Sequence, residues 1–170
     1  PSYYFDKANV IVSFGADFLA NWLGCDYAID YAKARNPESG KMVKHYQIES
    51  TLSLSGSNAD ERIQIKPSEQ SGLLYNLYTA INGGKADSRI AKIANDLLKN
   101  KGKSIVVCNS NDSQVQILVN AINNKLRNYE NTISLKKPSF LRQGNDTDVT
   151  MLIKEMNSGK IAALFTHNVN

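Results

Sequence analysis

The sequence predicts an α/β domain of three layers, with helices on both faces of a mostly parallel sheet. Three observations lead there. The apolar runs at residues 10–14 and 104–108 show no polar alternation, as in strands covered on both faces. Strand-like stretches alternate with amphipathic helical ones, the order that builds βαβ units. Polar loops follow the strands at Gly15, Ser50 and Asn109, and such loops at carboxyl strand ends are where doubly wound sheets bind ligands.

Each element has its own reason. Residues 10–14, VIVSF, form a buried strand bounded by Gly15. A helical turn is expected over 17–23 and a helix over 27–35, ended by Asn36-Pro37 and the loop 38–40. Residues 44–49 are the second strand. Residues 50–60, rich in Ser, Asn and Gly, are a polar loop. Residues 61–66 alternate polar and apolar, the period of a strand. Pro67 opens a helix over 70–82, with Leu73, Leu74, Leu77 and Ile81 on one face and Gly83-Gly84 as its stop. The spacing of Ile90, Ile93, Ala94, Leu97 and Leu98 predicts a helix over 87–100. Residues 104–108, SIVVC, are the clearest strand. The loop 109–113 offers N-cap chemistry to a helix over 114–126. A short strand is expected over 132–135 and a loop over 136–146. A helix follows over 148–157 with Val149, Leu152, Ile153 and Met156 inward, capped by Gly159, and then a last strand over 161–166.

The 170 residues are read as one α/β domain, or as two half-lobes over 1–84 and 85–170. The chain starts without Met and ends just after the expected last strand, so it reads as a fragment of a longer protein. Hydrophobic content of 42% and charged content of 21% are those of ordinary globular chains. No apolar run approaches the ~20 residues that span a bilayer, and no segment reads as a signal peptide. The net charge of +4 is spread out. Lys99, Lys101, Lys103 and the pair Lys136-Lys137 lack interleaved aromatics, so no nucleic-acid partner is expected.

The residue inventory excludes several chemistries. Cys25 and Cys108 form no C-x-x-C pair, so neither a zinc site nor an iron–sulfur cluster is held within this chain. Cys108 reads as a buried small hydrophobe. A disulfide between the two is the less favoured reading. His45 and His167 are the only histidines, and no nucleophile–base arrangement follows from their spacing. His45 sits in a strand and is read as structural. Tyr3, Tyr4 and Phe5 are packing or interface aromatics. No catalytic residue and no metal ligand is expected.

Four places remain as candidate binding residues. Gly15 and Asp17 lie where backbone N–H groups meet a pyrophosphate at a helix start, or where a tight turn is capped by Asp17. One glycine is present, not the G-x-G-x-x-G of a dinucleotide fingerprint. Glu49, Ser50 and Thr51 end the second strand, where an acidic side chain accepts from a ribose diol, or where hydroxyls cap the next turn. Asn58 and Asp60 bind a base edge or phosphate, or cap local backbone. Ser68 and Glu69 open a helix behind Pro67, and Glu69 favours the helix dipole.

The block 47–70, QIESTLSLSGSNADERIQIKPSEQ, resembles the nucleotide-binding domain of the molybdopterin oxidoreductases, the dimethyl-sulfoxide-reductase superfamily. Members carry a loop ending in Ala-Asp and a Pro-Gly-Thr-Asp helix opening. Ala59-Asp60 and Pro67 match, while Ser68-Glu69-Gln70 stands in place of Gly-Thr-Asp. The blocks Glu49-Ser50-Thr51 and Pro67-Ser68-Glu69 are more similar to a divergent branch, the iron–sulfur subunit of the quinol:cytochrome c oxidoreductase called alternative complex three. Residues 4–12, 15–19 and 156–160 fit the same branch, so the resemblance spans nearly the whole chain.

The resemblance implies a Rossmann-like unit that, in cofactor-binding members, holds the guanosine end of a molybdopterin guanine dinucleotide. There an Asp at the helix opening reads the guanine amino groups. Ser68 and Gln70 remove the tight backbone approach and that carboxylate, and Glu69 is shifted by one position. The implied parent is an oxidoreductase subunit with iron–sulfur clusters elsewhere, in an electron-transport complex on the periplasmic face of the cytoplasmic membrane. It is membrane-associated through that complex. The partners implied are its other domains and the other respiratory subunits. The fragment itself is expected to be a scaffold with neither catalysis nor cofactor. The alternative is a true molybdenum oxidoreductase domain gripping the dinucleotide through Asp17, Glu49, Asn58, Asp60 and Glu69.

Overall fold

The computed structural model describes residues 1–20, 22–24, 27–40, 42–136, 138 and 144–167. The chain divides into two compact units, Pro1–Ser139 and Phe140–Asn170. The first holds a sheet of four parallel strands in the order β4-β3-β2-β5. These are β2 (Val10–Phe14), β3 (Lys44–Glu49), β4 (Glu61–Gln64) and β5 (Ser104–Cys108). The apolar run of β2 pairs with β3 on one side (Val12 with Tyr46) and with β5 on the other (Val12 with Val106). Every residue of β2 and β5 is buried, as their lack of alternation predicts.

Two cores sandwich this sheet, giving the three-layer, Rossmann-like α/β fold. On one face, α3 (Gln70–Ile81), α4 (Ser88–Lys99) and α5 (Ser113–Lys125) lay their apolar stripes over Val10, Val12, Phe14, Tyr46, Ile48 and Val106. Asp87 caps α4 by accepting from the N–H of Arg89, and Asp112 caps α5 by accepting from Gln114 and Val115. The other face is thinner. One short helix, α1 (Tyr27–Ala34), supplies Tyr27 and Tyr31 to a core with Phe5, Ile11, Phe18, Val43, Ile105 and Val107. Phe5 and Phe18 stack at 4.5 Å between ring centroids.

The outer edge of β5 is sealed by side chains. Asn123 on α5 accepts from the N–H of Val106 at 3.1 Å and donates to its carbonyl at 2.8 Å. Thr132 donates to the Ser104 carbonyl at 2.6 Å, and Gln116 to the Cys108 carbonyl at 3.3 Å. Both outward groups of Val106 and the outward carbonyls of Ser104 and Cys108 therefore have partners without a further strand.

Several sequence expectations change here. The strand expected over 132–135 shortens to β6 (Ile133–Ser134), which pairs antiparallel with β1 (Ser2–Tyr3) in a separate two-stranded ribbon. Tyr3 is thus a strand residue as well as a packing aromatic. The 50–60 loop contains a helical turn, α2 (Leu54–Ser57), started by the Ser53 hydroxyl accepting from the Gly56 N–H. Residues 161–166 form no strand, and Phe165 is 94% exposed. A strand exists only through a ladder partner, and this segment pairs with none of the described strands. The helix expected over 148–157 is present as α6 (Asp146–Asn157) in the second unit, but Val149, Ile153 and Met156 are exposed rather than inward. Its apolar stripe shows which face is suited to being covered; it does not supply the cover. Cys108 is a free, buried thiol, pushed above its usual range by that burial, and Cys25 lies outside the described residues.

Candidate functional site

The strand order reverses between β2 and β5, so the crevice of a doubly wound sheet lies between the ends of these two strands. Gly15 leaves β2 with φ +68°, a left-handed conformation that glycine adopts without strain. Its N–H donates to the Ile48 carbonyl at 2.8 Å, and the Asn109 N–H donates to the Phe14 carbonyl at 3.0 Å. The Asn109 side chain lies directly against Gly15: a Cβ there would meet its Oδ1 at 2.8 Å and its Nδ2 at 2.9 Å. Gln70, the first residue of α3, reaches across and donates to Asn109 Oδ1 at 3.0 Å, beside Cys108 Sγ at 3.3 Å. The Asn109 carboxamide, held by Gln70, thus occupies the space over the turn where a pyrophosphate would approach the backbone.

The other candidate residues are bound to the protein itself. Asp17 Oδ1 accepts from both the N–H and the hydroxyl of Ser55 at 2.8 Å, tying the first turn to α2. Glu49 is 3% exposed. Its Oε1 accepts from Arg62 Nε at 2.6 Å and Ser53 N–H at 3.2 Å, and its Oε2 from Ser53 Oγ at 2.6 Å and Gln47 Nε2 at 3.0 Å. Burial opposes the Glu49 charge, but Arg62, Ser53 and Gln47 together outweigh it and hold the carboxyl below its usual range. Gly56 fits because any Cβ would overlap Glu49 Oε1. Ser50 and Thr51 are exposed beyond the end of β3.

The remaining candidates are not brought to this crevice as one group. Asn58 is exposed and donates back to the Leu54 carbonyl at 2.9 Å. Asp60 sits at the amino end of β4, the edge of the sheet opposite Gly15. There it accepts from the His45 N–H at 2.7 Å and from Arg35 Nη1 at 2.6 Å. Ser68 is exposed. Glu69 folds back to accept from the Lys66 N–H at 2.8 Å, which is the main reason its carboxyl lies below the usual range. Its other neighbour is Arg89, 3.7 Å away.

A cavity of about 310 Å³ opens beside the crevice, lined among others by Tyr3, Trp22, Leu23, Asn109 and Gln116. Among the described residues no lysine, arginine or carboxylate side chain lines it. Among the described residues no cluster of three or more His, Cys, Asp or Glu side chains is placed to hold a metal ion. At Gly15 the Asn109 carboxamide lies where the pyrophosphate of a molybdopterin guanine dinucleotide would approach the backbone.

Gln70 and Asn109 were not singled out as site residues. The sequence carried half the signal: Gln70 stands where cofactor-binding members of the family it resembles have Asp, but its contact with Asn109 joins residues 39 apart. His45, Gln47 and Glu49 were legible as polar positions at period two in a strand; their joining into one chain was not. No protein-family model matches this chain, and no curated protein matches it.

Proposed function

We propose that this chain is the Rossmann-like scaffold domain of a molybdopterin-oxidoreductase-like iron–sulfur subunit in a quinol-oxidising respiratory complex. It carries no catalysis or cofactor of its own. The observation that supports this reading best is the Asn109 carboxamide, held by Gln70 and laid against Gly15 where a dinucleotide would need open backbone. Glu49 is withdrawn from solvent by four internal hydrogen bonds, and Asp60 is at the far edge of the sheet. What the domain offers its surroundings is surface. Leu52 and Leu54 stand 62% and 52% exposed on the loop over the carboxyl edge, an apolar pair suited to a neighbouring domain.

The test is metal and pterin analysis of the full parent, purified from its native membrane. Iron without molybdenum or pterin is the expected result. Molybdenum with a guanine dinucleotide overturns the reading and restores the alternative of a cofactor-gripping domain. A companion measurement uses the chain alone. Wild type is expected to show no calorimetric binding of GDP at millimolar concentration, and tight binding would show that the carboxamides do not close the crevice.

A further inference from the structure

A continuous polar chain runs through the aromatic core on the α1 face. Gln47 Nε2 donates to Glu49 Oε2, so Gln47 Oε1 is the atom facing His45 Nε2 at 3.2 Å. A carbonyl oxygen only accepts, so Nε2 must carry a proton. Burial pushes the His45 imidazole down to about 4, against the raising effects of Gln47, Asp60 and Glu49. At neutral pH the ring is therefore uncharged and Nδ1 is a bare acceptor. Nδ1 lies 3.2 Å from the Tyr31 hydroxyl, which also lies 3.0 Å from the Asn58 carbonyl. One phenolic proton serves two acceptors. Protonating His45 would resolve that competition, because Nδ1–H would donate to Tyr31 and Tyr31 to Asn58. The cost is a cation with 0% exposure.

The charged and titratable groups around the ring come from every neighbouring element. Tyr31 and Arg35 come from α1 and its end, Asp60 from the segment before β4, and Glu49 from β3, with Arg62 of β4 bound to Glu49. Asp60 is already engaged by Arg35 and the His45 N–H, and Glu49 by Arg62, so neither carboxylate touches the imidazole. The Phe18 ring, 5.1 Å away between centroids, covers another side. The cheapest relief is to let water in past α1. That helix buries only Tyr27 and Tyr31, whereas α3 buries five residues and α4 four.

We infer that the α1 face is an acid-opened flap: protonation of His45 unseats α1 and the α2 loop, while the α3–α4–α5 layer stays folded. The sign follows from the two states. The opened imidazole takes its ordinary value of 6.5 and the closed one lies lower. Closure is thus fully stabilised above about pH 6.5 and weakens as pH falls from there toward 4.

Amide hydrogen exchange at pH 7 and pH 5, corrected for intrinsic rates, tests this. Opening of residues 27–34 and 53–58 is expected to rise roughly 20-fold, with residues 88–99 and 104–108 unchanged. The His45→Gln variant is expected to lose that rise. An equal rise in both layers, or none, overturns the inference. Should His45→Gln fail to fold, NMR titration of the wild-type imidazole decides: a midpoint near 4 supports the flap and one near 6.5 removes it.

Discussion

Glu49→Ala is expected to destabilise the first unit by about 2–4 kcal/mol, the cost of leaving buried hydrogen-bonding groups without their acceptor. The change strands Arg62 and strips acceptors from Gln47, from the Ser53 N–H and from the Ser53 hydroxyl. Urea unfolding at pH 7 measures it. The isosteric Glu49→Gln variant keeps the shape and one acceptor oxygen, so its loss is expected to be smaller. Asp60 lies at the other end of the sheet and serves as the comparison. A Glu49→Ala loss below about 1 kcal/mol would mean that the carboxylate is not an internal tie, and would return Glu49 to the pool of ligand-binding candidates.

Asn123→Leu carries the second large effect. The side chain is 2% exposed and its carboxamide satisfies both the N–H and the carbonyl of Val106. Its Oδ1 also accepts from Asn128 Nδ2 at 2.9 Å. Leucine has similar volume but leaves a buried backbone donor and acceptor without partners, for an expected loss of about 2–4 kcal/mol. Where the weakened cover opens, the β5 edge becomes available for strand addition, so the variant is expected to self-associate. Thermal unfolding and sedimentation velocity read the two consequences separately. A stable, monomeric Asn123→Leu would show that water or a neighbour can take over this edge.

Some elements were readable because their signal is local. The strands β2 and β5 announce themselves by apolar runs, and α3, α4 and α5 by apolar stripes at helical spacing, the last two behind acidic caps. The candidate site was less readable. Gly15 was correctly placed at the end of the first strand, but its neighbour Asn109 arrives from the strand added across the sheet. Glu49 looked available to a ribose because it ends a strand before a polar loop. The fold turns it inward, where Ser53 and Arg62 claim it. Residues 161–166 show the reverse error: an apolar stretch with strand composition acquires no ladder.

What the amino-acid order determined by itself is the α/β alternation, the buried strands, the helix caps and the polar loops at the strand ends. Those depend on periodicity and on side chains acting on their own backbone, within a few residues. Only the tertiary structure decided that the Asn109 carboxamide lies against Gly15 and is held there by Gln70. It alone decided that His45, Gln47 and Glu49 join into one buried chain, and that side chains replace a further strand along β5. These outcomes depend on hydrogen-bond partners brought together from distant segments, and each buried donor or acceptor is tied to whichever partner the packing delivers.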